Sequence, residues 1–203
     1  MSTSPTNPQR TSAAGKRIGL LGGSFNPAHS GHRHISLLAL EILGLDQVWW
    51  MVSPQNPLKP AKDMASFDLR LRGARRTANH PDIEVTDIEA QLGTRYTVDT
   101  LEALIARQPK VRFVWLMGAD NLVQFPQWRD WEGIFALVPI AVFDRNSYDF
   151  SAMEGEAAGR FAEARIPQDQ ASDLADREPP AWVYLHTPQH PASASAIRQN
   201  HSH

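Results

Sequence analysis

Apolar residues gather into short runs, and between them lie segments with helical spacing. The runs at 17–22 (RIGLLG), 47–52 (QVWWMV), 111–118 (VRFVWLMG), 139–144 (PIAVFD) and 182–186 (WVYLH) show little polar alternation. Such runs predict strands buried on both faces. IEVTDIE at 83–89 alternates and predicts a further strand. Residues 31–43 place Ile35, Leu38, Ala39, Ile42 and Leu43 at helical spacing, and Gly44 supplies a stop. Helices are also predicted over FDLRLRGARRTA (67–78, with Ser66 as its cap), over YTVDTLEALIAR (96–107) and around 131–137. The polar 146–181 stretch predicts one helix near 153–165 and a mobile loop.

Strands alternating with helices, each too apolar for a half-exposed sheet, predict an α/β fold. The expected architecture is Rossmann-like: a doubly wound, mainly parallel sheet with helices on both faces. Right-handed crossovers bring every strand's C-terminal end to one edge. The segments 22–32, 53–62, 89–97, 118–129 and 187–198 then converge on a single cleft. Residues 1–16, polar and rich in Ser, Thr and Pro, are expected to be a disordered tail. The folded domain is expected over 17–203.

Composition narrows the chemistry. The chain has 203 residues, no cysteine and a formal net charge of -2. Disulfides, thiolate metal sites and cysteine nucleophiles are excluded, and a reducing cytoplasm fits. The charge balance gives no reason to expect a nucleic acid or an anionic membrane as partner, and no apolar run is long enough to span a bilayer. A small phosphorylated substrate needs only a local cluster of donors.

GGSFNPAHSGH at 22–32 offers such a cluster. Gly22 and Gly23 end a strand and allow close backbone approach. The following helix presents unpaired N–H groups and a positive dipole end. His29 and His32 stand three apart at its entrance, so a helical turn puts both imidazoles on one side. The stretch is neither a GK[ST] phosphate loop nor a GxGxxG fingerprint. Anion binding and metal ligation by the histidine pair both remain open from the residues alone.

At these positions the sequence resembles the nucleotidylyltransferase superfamily, with its (T/S)FxPxHxGH-type phosphate motif. SPQNPLK (53–59), TDIEAQLGTRYTVDTL (86–101), FVWLMGADNLVQFPQWRDW (113–131) and SASAIR (193–198) are similar, in order, to segments of the bacterial nicotinate-nucleotide adenylyltransferase family. The resemblance runs from residue 17 to residue 198. It implies adenylyl transfer from ATP to nicotinate mononucleotide, giving deamido-NAD and pyrophosphate by direct in-line attack, without a covalent intermediate. It implies Mg²⁺ held mainly by the phosphates, with no dedicated protein ligand set, and it leaves a homo-oligomer open.

The resemblance also implies roles. His29, His32 and Arg198 act on the phosphates. Gly22, Gly23, Ser24, Phe25, Gly118, Asp120, Arg145, Ser193 and Ser195 bind ATP. Lys59, Thr97, Trp128 and Arg129 bind the mononucleotide. Arg70 is the one member of the basic helix Arg70, Arg72, Arg75, Arg76 with a family-position role; the others form a solvated face. His34 reads as a helix-surface residue and Trp131 as core. Three positions depart from the family pattern: Asn26 where Asp is common, Arg129 where some relatives have an aromatic, and Ser195 where Thr is common. Related transferases that use nicotinamide mononucleotide, phosphopantetheine or a sugar phosphate are the neighbouring enzyme readings. A nucleotide-binding regulator without catalysis is the reading from another class.

Overall fold

The structure, a computed structural model, describes residues 15–54, 64–144 and 149–188. Among them, seven strands form one sheet: β1 (Arg17–Gly23), β2 (Gln47–Val52), β3 (Ile83–Thr86), β4 (Arg112–Gly118), β5 (Ile140–Phe143), β6 (Arg165–Ile166) and β7 (Trp182–Leu185). Their order is β3-β2-β1-β4-β5-β7-β6, and every pairing is parallel. The chain winds outward from β1 through β2 to β3, then crosses back to β4 on the other side of β1. The order therefore reverses between β1 and β4, where a crevice opens at the strands' C-terminal ends.

Eight α-helices are described: α1 (Ser30–Ile42), α2 (Phe67–Ala78), α3 (Ile88–Leu92), α4 (Thr97–Arg107), α5 (Ala119–Gln124), α6 (Trp131–Leu137), α7 (Asp149–Met153) and α8 (Glu156–Arg160). Successive strand residues point to opposite faces, and each face has its own core. Leu21, Trp50, Val52, Val114, Leu116 and Phe143 pack under α1, α2 and the 3₁₀ stretch Gln168–Asp176. Leu20, Met51, Trp115, Met117, Val142 and Trp182 pack under α4, α5, α6 and α8. Burial on both faces is why the strands carry so few polar residues.

Two predicted elements differ. The strand expected over 83–89 pairs only over Ile83–Thr86; Asp87 turns the chain into α3, which Gly93 ends at φ +66°. The alternation at Asp87-Ile88-Glu89 continues past the last β2 partner, so no ladder holds it straight. The helix expected near 153–165 is broken into α7, α8 and a 3₁₀ turn at Ala162–Ala164, followed by β6. Gly155 sits in extended backbone between the two helices. Ser66 precedes α2 but makes no side-chain capping bond. Gly44 does stop α1, at φ +60°, a region that favours glycine. At the N-terminal boundary, the Lys16 carbonyl already accepts from the Arg112 N–H. Most of the expected tail lies outside the described residues.

Candidate active site

The β1–α1 turn is built from buried contacts outward. A Cβ at Gly22 would lie 2.5 Å from the Trp115 ring, so glycine here is required by β4's packing. Gly23 has only ordinary contact with Phe25, and its carbonyl accepts from the Ser53 N–H at 2.9 Å. Phe25 takes φ 45°, a left-handed value uncommon for a non-glycine residue. Its ring is buried, stacks on Trp50 at 5.1 Å and lies 4.8 Å from the His32 ring. That packing holds the strained backbone in place. Asn26 Oδ1 accepts from the Ala65 N–H at 3.2 Å, tying the turn to the approach of α2. This task needs only an oxygen acceptor, which the Asn amide supplies.

The two histidines cap α1, His29 just before its first residue and His32 within its first turn. His29 is the N-cap of α1, and its Nδ1 accepts from the Gly31 N–H at 3.2 Å. His32 Nδ1 accepts from the His29 N–H at 3.2 Å. This is a capping box in which imidazoles replace the usual Ser and Glu. Both Nδ1 atoms are acceptors, so in each neutral ring the proton is assigned to Nε2. The rings lie 3.8 Å apart, tilted by 37°. The His32 carbonyl accepts from Ser36 Oγ at 2.9 Å, which accepts from Trp50 Nε1 at 2.7 Å. The pair is thereby anchored to the sheet.

Three strand ends are joined by buried polar groups. The Arg70 guanidinium donates to the carbonyls of Ser24, Ser53, Pro54 and Ala65 at 2.7–3.0 Å. The Ser53 hydroxyl donates to Glu89 in α3. Glu89 is 6% exposed, and burial pushes its carboxyl up to about 7, offset in part by the Ser53 bond. Glu89 and Ser53 were missed from the sequence. The signal for Glu89 was an acid three residues past the end of β3, with a helix-ending glycine four residues on.

Across the crevice the residues are aromatic. Gly118 is the N-cap of α5, and half-buried Asp120 lies in its first turn. Trp128 meets Phe125 at 5.1 Å and Trp115 at 6.2 Å, both edge to face. Trp131 packs on Phe125, Phe135 and Phe161, in agreement with its core assignment. Thr97 begins α4, whose N-terminus has no side-chain cap. Arg129 lies over the Tyr96 ring at 4.7 Å, and its Nη1 is 3.5 Å from Asp99 Oδ2. This links the Trp128 loop to the start of α4. His34 is half-buried rather than a plain surface residue, with Nε2 2.6 Å from the Pro188 carbonyl after β7.

The structure thus gathers Gly22, Gly23, Ser24, Phe25, His29 and His32 in one turn. Gly118 ends β4 and Asp120 follows it, and Trp128 packs against Trp115 of the same strand. Lys59, Arg145, Ser193, Ser195 and Arg198 lie outside the described residues.

The cytidylyltransferase-like family model matches residues 20–200. The probable nicotinate-nucleotide adenylyltransferase of Parvibaculum lavamentivorans is 52% identical, covering 91% of this chain and 92% of its own. That of Cereibacter sphaeroides is 54% identical, covering 89% and 96%. The chain belongs to the nicotinate-nucleotide adenylyltransferase family. A Plasmodium falciparum nicotinic acid mononucleotide adenylyltransferase, solved as a complex with NaAD, has the same fold. It has a TM-score of 0.68 and 17% identity, covering 91% of this chain and 83% of its own.

Within this adenylyltransferase, the crevice between β1 and β4 carries opposite chemistry on its two sides. The β1–β2 side presents imidazole and backbone donors next to a buried cation. The β4 side carries the half-buried Trp128 indole, backed by the buried rings of Trp115 and Phe125. Together they suit a ligand with phosphates at one end and a planar ring at the other.

Proposed function

We propose that the chain transfers the adenylyl group of ATP to nicotinate mononucleotide, releasing deamido-NAD and pyrophosphate in the cytoplasm. The observation that carries this reading is the imidazole pair whose Nδ1 atoms are both occupied by backbone N–H groups. A phosphate oxygen of the mononucleotide forms a bond to the α-phosphorus of ATP. The bond from that phosphorus to the bridging oxygen breaks, and pyrophosphate leaves with the electron pair.

His29 and His32 donate from Nε2 to the triphosphate and stabilise the charge that grows on the leaving group. Donors already fixed in place need no reorganisation during the reaction. The first N–H groups of α1 add the positive end of a helix dipole. Trp128 stacks on the pyridine ring, and Thr97 with the uncapped start of α4 receives the nicotinate carboxylate. Gly118 and Asp120 take the adenosine side. Lys59, Arg145, Ser193, Ser195 and Arg198 complete the phosphate and substrate contacts in this proposal.

Among the described residues, no three His, Cys, Asp or Glu side chains gather as a metal site. Mg²⁺ belongs to the reaction as the counter-ion of ATP, bound through phosphates and water.

The deciding experiment measures pyrophosphate release from ATP and Mg²⁺ with nicotinate mononucleotide, its amide, and phosphopantetheine in turn. Turnover with the acid above both others is expected. Fast turnover with the amide and none with the acid would overturn the substrate assignment. ATP binding without release from any acceptor would favour the regulator reading.

A further inference from the structure

Arg70 is 3% exposed, yet no carboxylate among the described residues pairs with it. Its partners are four backbone carbonyls: Nη1 to Ser24 and Ser53, both at 2.7 Å, Nη2 to Pro54 at 2.8 Å, and Nε to Ala65 at 3.0 Å. The Phe67 ring lies 5.5 Å from the guanidinium carbon. A buried charge without a counter-charge is costly, and burial lowers the arginine's pKa. A guanidinium nevertheless keeps its proton.

The four carbonyls define what the charge does. Ser24 follows β1 inside the phosphate motif, Ser53 and Pro54 follow β2, and Ala65 precedes α2. One planar group therefore sets the spacing between the turn that bears the histidines and the start of the 53–62 loop. Drawing electrons from the Ser24 carbonyl also makes the Phe25 N–H of the same peptide a better donor. Low solvent exposure leaves the field of the charge poorly screened.

We infer that Arg70 is a positioning residue that clamps the exits of β1 and β2 together and lends its unpaired positive charge to phosphates bound between them. This deepens the adenylyl-transfer reading and rests on it. Two functions are combined, and two substitutions separate them. Arg70→Gln removes the charge and most of the fork. Arg70→Lys keeps the charge but cannot reach four carbonyls in one plane.

The test measures equilibrium binding of adenosine, AMP and Mg²⁺-ATP, together with kcat, for the wild type and both variants. In Arg70→Gln, ATP affinity is expected to fall by about tenfold, consistent with a weakly screened charge at short range. AMP should lose less, and adenosine should change by less than about twofold. In Arg70→Lys, ATP affinity should stay within about threefold while kcat falls by about tenfold or more. A loss of equal size for all three ligands would overturn the charge role, because loop damage does not count phosphates. Wild-type kcat in folded Arg70→Lys would overturn the clamp. Should Arg70→Gln not fold, Arg70→Lys decides alone: kept ATP affinity with reduced kcat supports the inference, and parallel loss of ATP and adenosine binding refutes it. A wild-type protein that neither binds ATP nor releases pyrophosphate would instead overturn the underlying function.

Discussion

On the β1–β2 side of the crevice, functional side chains are held by directional hydrogen bonds; on the β4 side, rings are held by one another. His29 and His32 each have a nitrogen fixed by a backbone N–H, and Arg70 has three nitrogens fixed by carbonyls. Trp128 is placed by edge contacts to Phe125 and Trp115. A hydrogen bond fixes which atom carries a proton and where it points. Edge-to-face packing fixes only the plane of a ring. Charge that moves during a reaction needs the first kind of support, whereas a ring that is stacked and released needs only the second. Damage on the β1–β2 side should therefore appear in kcat or in protonation, and damage on the β4 side in KM.

The largest effect is expected at His32. Removing a preorganised donor to a developing charge costs about 10²–10³ in kcat. His32→Ala should show a loss of that size in steady-state pyrophosphate release, with KM for ATP changed far less. The substitution also deprives the His29 N–H of its acceptor, which should cost about 1 kcal/mol of stability in a urea melt. A folded His32→Ala protein with near-normal kcat would erase the distinction between the two sides.

Glu89 tests the same side through protonation. Its carboxyl titrates near 7 in the folded protein against an ordinary value of 4.5, because burial disfavours the charged form. Between those values the folded state binds more protons than the unfolded state, so stability falls as pH rises through the window. By pH 8 ionised Glu89 costs on the order of 3 kcal/mol. Glu89→Gln should remove most of that slope, so its melting temperature relative to wild type should climb between pH 5 and pH 8. A pH-independent difference between the two proteins would show that Glu89 does not titrate in this range.

Much of this contrast was legible in the residues. Apolar strands buried on both faces announced a parallel sheet, and the parallel sheet put the conspicuous residues at one edge. HxxH at a strand-to-helix turn announced two imidazoles on one side of the helix entrance, and the rings lie 3.8 Å apart. That the same imidazoles cap α1 was hidden, because Ser, Thr, Asp and Asn are the usual caps. Arg70 was set apart from the other arginines of its helix by resemblance alone. The fold supplies the physical reason: Arg72, Arg75 and Arg76 face solvent while Arg70 turns under the β1 and β2 exits. Glu89 was taken for the end of a strand, since alternation cannot reveal where a partner strand stops. Gly22 is the reverse case: a glycine expected to make room for a ligand also makes room for Trp115.

On the aromatic side, Trp128→Ala should raise KM for the mononucleotide by about tenfold, the value of one ring stacked on an aromatic side chain. KM for ATP should stay within about twofold, since the proposed phosphate contacts do not involve Trp128. A larger loss in kcat than in mononucleotide KM would mean that the ring orients the attacking phosphate, which would place Trp128 with the histidines.

Arg129 gives the smallest effect and the finest division. It follows Trp128 in the chain and bridges to Asp99 and the Tyr96 face. Both partners are on α4 or directly before it, so the arginine ties the Trp128 loop to the start of α4. Its side chain is 58% exposed, and ion pairs at such positions contribute about 1 kcal/mol or less. Arg129→Ala should therefore raise mononucleotide KM by less than about fivefold and leave kcat unchanged, as packing support rather than directed charge would do. If kcat fell instead, to the level of His32→Ala, a directed charge would be working among the rings, and the two sides of the crevice would share one mode of support.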